Sequence, residues 1–139
     1  VGEHPGRAGH LLEALVEARS SGVGGVISVV ERPLDAGLLR RAKLEAMHLP
    51  VRDYEAPTLE QLEEAVAFIA AVRGRGEAVF IHCYAGIGRS ATVACAYLVT
   101  LGATADQAIA QVRRRRSPVC VESAAQVAVI EAFAAARGR

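Results

Sequence analysis

The reading turns on AVFIHCYAGIGRS, residues 78–90. Its first five residues are short, apolar and β-branched in part, the signature of a buried strand. A cysteine follows at once, then a five-residue loop with Gly86 and Gly88, then Arg89 and Ser90 at the start of an apolar run that Gly102 closes. Strand, cysteine, glycine-bearing loop, helix: a helix N-terminus offers unpaired N–H groups and the positive end of a dipole. A loop with two glycines can curl so that its own N–H groups point inward. Together they form a bowl for a tetrahedral dianion. Arg89 can clamp two phosphate oxygens. The same field lowers the pKa of Cys83, so a thiolate sits beneath a bound phosphate as a nucleophile aimed at phosphorus. Ser90 can donate to the sulfur when sulfur becomes the leaving group. A nucleotide-binding loop of the Gly-Lys-Ser/Thr kind is excluded, because that tripeptide is absent.

Working outward, strand and helix patterns alternate. Leu11, Leu12, Leu15 and Val16 have helical spacing up to Gly22. GVISVV at 25–30 reads as a buried strand broken by Pro33. Asp35 can cap a short helix carrying Leu38 and Leu39, and 47–51 reads as a second strand. Thr58 with Gln61, Thr104 with Gln107 and Ser123 with Gln126 each have capping-box spacing and predict three helix starts. The order implies an α/β fold with a mostly parallel central sheet flanked by helices, as one domain across residues 1–139. Three strands are few for it, and N-terminal edge strands are expected to be missing or irregular.

The chain has 139 residues and is 52% hydrophobic but 4% aromatic, so the core must be mostly Ala, Val, Leu and Ile. A net charge of +1 encodes no global pull toward nucleic acid or membrane. No apolar run approaches a membrane span, and nothing at the start reads as a signal peptide. Cys83, Cys95 and Cys120 are too scattered for a disulfide framework and suit a reducing, cytoplasmic setting.

His82-Cys83-x5-Arg89-Ser90 resembles the signature of the cysteine-dependent protein tyrosine phosphatase superfamily. VISVVERP at 26–33, LPVRDYEAP at 49–57 and RRRRSPVCVESAAQ at 113–126 are similar to segments of its small atypical dual-specificity members. The residues before Gly22 match least. The resemblance implies a phosphomonoester hydrolase that needs no metal or other cofactor. Cys83 would be the nucleophile and form a phosphocysteine. Arg89 and the backbone N–H groups of Tyr84, Ala85, Gly86, Ile87, Gly88 and Arg89 would bind phosphate. Ser90 would assist breakdown of the intermediate, and His82 would orient the loop and help keep the thiolate. Asp53, thirty positions before Cys83 and four before Pro57, would be the general acid and then the base.

Each residue also has a plainer reading. Cys95 and Cys120 read as core thiols. Asp53 could be a turn residue, with Glu55 a rival acid. Gln126 divides evenly between a water-positioning role and the capping box. The arginines 113–116 read as a solvated helix end, with one of them available to brace the phosphate loop or attract acidic substrates. Tyr84 suits the pocket rim, and His4, His10 and His48 show no ligand spacing. The expected substrates are phosphotyrosine and also phosphoserine or phosphothreonine in proteins. Phosphoinositide, inositol phosphate or RNA 5′-phosphate is the alternative, disfavoured by the lack of Lys in 84–88. A non-catalytic phosphate-binding module is a third reading.

Overall fold

The structure, a computed structural model, describes residues 1–6 and 10–138. Along the chain lie α1 (Leu11–Ser20), β1 (Val23–Ser28), α2 (Ala36–Arg41), β2 (Glu45–His48), α3 (Leu59–Gly74), β3 (Ala78–His82), α4 (Arg89–Thr100), α5 (Ala105–Arg115) and α6 (Ala124–Ala136). The strands form one parallel sheet in the order β2-β1-β3, with helices on both faces, as the alternating pattern implies.

Strand alternation sorts the core into two layers. Val26 points to one face, where it packs with Leu15 of α1, Leu39 of α2, Leu34 and Leu44. Ile27 and Ile81 point to the other and meet Leu62 and Ile69 of α3, Val93 and Val99 of α4, Ile109 of α5 and Phe133 of α6. Helix α4 is buried nearly all round, which is why its sequence is apolar on every side. All three capping boxes form, each with the hydroxyl accepting from the N3 backbone and the glutamine returning the bond, at Thr58, Thr104 and Ser123. Asp35 caps α2 by accepting from Leu38 N.

β3 and the helix starts fall within a residue of expectation, but two strands are shifted. β1 begins at Val23 and ends at Ser28, and β2 runs from Glu45 to His48 rather than over 47–51. Pairing sets these bounds. Ser28 is in register with both His48 and His82, so all three strands end at one level. Val29, Val30, Leu49 and Val51 stay buried but lie past that level. Pro50 has no N–H with which to extend the ladder. On the outer side of β3 the N-terminal segment makes a single parallel bridge, Gly2 to His82, with Gly2 N donating to Ile81 O at 2.9 Å. The expected irregular edge is thus one bridge long among the described residues. The level where the strands end faces the loops that hold Cys83 and Asp53, the usual place for a site in a parallel α/β sheet.

Candidate active site

Cys83 follows β3 directly, and the loop from it closes onto the first turn of α4. Gly88 is the N-cap and, lacking a side chain, gives no capping bond. The N–H groups of that turn therefore remain directed at the loop's interior. Gly86 has φ +74, and a Cβ there would collide with the Gly2 backbone. Ser90 Oγ lies 3.2 Å from Cys83 Sγ and donates to it when the sulfur is ionised. Burial alone would raise the Cys83 pKa. The Ser90 hydroxyl and the backbone N–H groups of Ser90, Gly86 and Ile87 outweigh it, and the pKa falls below its ordinary value.

His82 is fully buried, and burial pushes its pKa down to about 4. The ring is therefore neutral at pH 7. Its Nδ1 donates to the Cys83 carbonyl at 3.1 Å, which leaves Nε2 to accept from the Ser28 hydroxyl at 2.7 Å. A neutral ring holds the Cys83 carbonyl and brings no positive charge to the sulfur.

Arg89 is buried, with 3% of its surface exposed. Nη1 donates to the Val51 carbonyl at 2.8 Å and to the Glu31 carboxylate. Nη2 lies 3.6 Å from Asp53 Oδ1. Nε is buried without a hydrogen-bond partner among the described residues. A buried guanidinium N–H without an acceptor is costly, and an anion held by the loop would supply one. Arg32, Asp53, Tyr84 and His4 join Glu31 and Arg89 around a shallow open cavity of about 320 Å³.

Asp53 stands in the loop after β2, exposed, with Oδ1 accepting from Tyr54 N at 3.0 Å. Glu55 meets the site through its backbone, whose carbonyl accepts from Gln126 Nε2 at 3.1 Å. Gln126 Oε1 also accepts from Glu122 N at 3.0 Å and Ser123 N at 3.3 Å. One buried amide thus closes the capping box and ties the Asp53 loop to α6. It also lies beside the Cys83 loop, since a Cβ on Gly88 would come within 2.9 Å of Nε2.

Three residues on the site were not read from the sequence. Glu31 pairs with Arg89, Ser28 holds His82, and the Glu122 carboxylate packs against Gly88. The Glu122 pKa is raised, first by burial and then by Asp53. Only the match of VISVVERP to a family segment pointed toward Glu31. Of the arginine run, Arg116 reaches the loop, donating to the Gly86 and Ala85 carbonyls at 3.1 and 3.2 Å.

The model of the dual specificity phosphatase catalytic domain matches residues 15–134. The chain belongs to the dual specificity phosphatase family. This phosphatase domain is 44% identical over 71 residues to dual specificity protein phosphatase 1-A of Xenopus laevis, covering 50% of this chain and 19% of that one. It is 32% identical over 122 residues to the phosphatidylglycerophosphate phosphatase PTPMT1 of Arabidopsis thaliana, covering 84% of this chain and 36% of the relative. The chain spans well under half the length of these curated relatives. Among solved structures, Tk-PTP in its active form superposes with a TM-score of 0.81 at 33% identity, over 89% of this chain and 86% of that one.

Proposed function

We propose that this domain hydrolyses phosphomonoesters through a phosphocysteine, with phosphotyrosine and phosphoserine or phosphothreonine in proteins as substrates. The observation that carries the reading is the convergence of hydroxyl and N–H donors on Cys83, enough to overcome its burial. Phosphate enters the loop and takes the N–H groups and the Arg89 fork, displacing Glu31. The thiolate attacks phosphorus as the P–O ester bond breaks, and Asp53 protonates the departing oxygen. Asp53 then takes a proton from water as that water attacks the phosphocysteine. The S–P bond breaks, and Ser90 donates to the leaving sulfur. Arginine and N–H groups carry the developing negative charge, so the scheme routes no step through a metal.

A phosphorylated lipid headgroup is the second reading. It is favoured by the phosphatidylglycerophosphate phosphatase relative, which matches most of this chain. Against it, the loop residues Tyr84, Ala85, Gly86, Ile87 and Gly88 include no lysine to meet a highly charged headgroup. The test is hydrolysis of an aryl phosphate with chelator and reductant present, by the intact protein and Cys83→Ser, followed by phosphopeptides against phosphatidylglycerophosphate and phosphoinositide vesicles. Chelator-resistant turnover lost in the variant, and faster on peptides, is expected. Faster lipid turnover would reverse the substrate order, and phosphopeptide binding without phosphate release would replace hydrolysis with recognition.

A further inference from the structure

A peptide unit is planar, and its C=O and N–H point in opposite directions. The Ala85 carbonyl therefore shares a unit with the Gly86 N–H, and the Gly86 carbonyl shares one with the Ile87 N–H. Those two N–H groups are among the donors that lower the Cys83 pKa, after the Ser90 hydroxyl. Their outer ends are gripped by one side chain: Arg116 Nη2 donates to Ala85 O at 3.2 Å and Nε to Gly86 O at 3.1 Å. The next unit is held the same way from the same side, with Val121 N donating to Ile87 O at 2.9 Å. Arg113 fixes that strap, its Nε donating to Cys120 O at 2.9 Å and its Nη2 to Val121 O at 3.3 Å.

The grip matters because the loop has no ladder of its own. Gly86, with φ +74, is the residue most free to let these planes rotate. A flipped plane would turn a carbonyl toward the thiolate in place of an N–H. Arg116 is placed for the task as the C-cap of α5, its own N–H donating to Val112 O at 2.8 Å. It packs so closely beneath the loop that a Cβ on Gly86 would lie 2.7 Å from Nη2. We propose that Arg116 is a positioning residue: by holding the Ala85 and Gly86 carbonyls outward, it turns the Gly86 and Ile87 N–H groups onto Cys83.

The test is the pH dependence of Cys83 alkylation by iodoacetamide, read by mass spectrometry, in the intact protein, Arg116→Met, Arg116→Lys and Arg114→Met. His82, Arg89 and Cys120 are retained in all of them; Arg116 also lowers the Cys120 pKa against its burial, and mass spectrometry separates alkylation of Cys83 from that of Cys120. Arg116→Met is expected to move the inflection upward by on the order of one pH unit. Arg116→Lys keeps the charge without the fork and is expected to recover less than half of that shift. Arg114→Met, two residues earlier in the chain and exposed, is expected to titrate like the intact protein. An unshifted Arg116→Met, even one that melts earlier, would overturn the proposal, as would an equal shift in Arg114→Met. If Arg116→Met does not fold, an unshifted Arg116→Lys overturns it. Alkylation reads the thiol without turnover, so a protein inactive on every phosphoester but showing the shift would sink the phosphatase reading and keep this one.

Discussion

Two cysteines, one facing the start of α4 and one in its body, show what activates a thiol here. Cys83 and Cys95 are equally hidden, at 2% and 0% exposure. Cys95 sits in the body of α4, and burial, helped by nearby Cys120, pushes its pKa up to about 12. Around it the helix spends its N–H groups on its own carbonyls. Cys83 faces the start of the same helix, where those groups have no internal partner, and its pKa goes down. Burial is common to both; the Ser90 hydroxyl and the N–H groups of the helix start and its loop distinguish them.

The sharpest way to break this contrast is substitution at each cysteine. Cys83→Ser is expected to lower kcat/KM by about 10⁴-fold or more, whereas Cys95→Ala is expected to leave it within about twofold, read with an aryl phosphate. Arg89→Lys comes next: a point charge cannot replace a fork, and a loss of about 10³-fold in kcat/KM is expected. Asp53→Asn is expected to slow alkyl phosphates by about 10²-fold and good aryl leaving groups much less. Equal slowing across leaving groups would remove Asp53 from the acid role.

Smaller effects test the surroundings. The His82 pKa is lower in the folded state, so between pH 6.5 and about 4 the unfolded chain binds more protons. Stability therefore falls as pH drops through that window, by up to about 3 kcal/mol. Urea unfolding at several pH values is expected to show a flatter profile for His82→Asn. Glu31→Gln frees Arg89 from an exposed competitor, and inhibition by inorganic phosphate is expected to tighten by about two- to fivefold.

What was legible in the sequence was local. The strand–cysteine–loop–helix run and the three capping boxes are written within a few residues each, and they fall where spacing put them. Strand ends were less legible, because Ser28, His48 and His82 stop together for reasons of pairing rather than composition. The contacts that complete the site are long-range: 54 residues separate Ser28 from His82, 58 separate Glu31 from Arg89, and 71 separate Glu55 from Gln126. No spacing rule reaches that far. Gln126 shows the same boundary within one side chain. Its capping half was readable from Ser123, and its bond to the Asp53 loop was not.

The most direct measurement is rapid acid quench of the intact protein during turnover of an aryl phosphate, followed by peptide mass spectrometry. On this account one phosphoryl group is found on Cys83, accumulating further in Ser90→Ala as departure of the sulfur slows. Turnover with no phosphoryl group on Cys83 in either protein, or with the group on another residue, would contradict it.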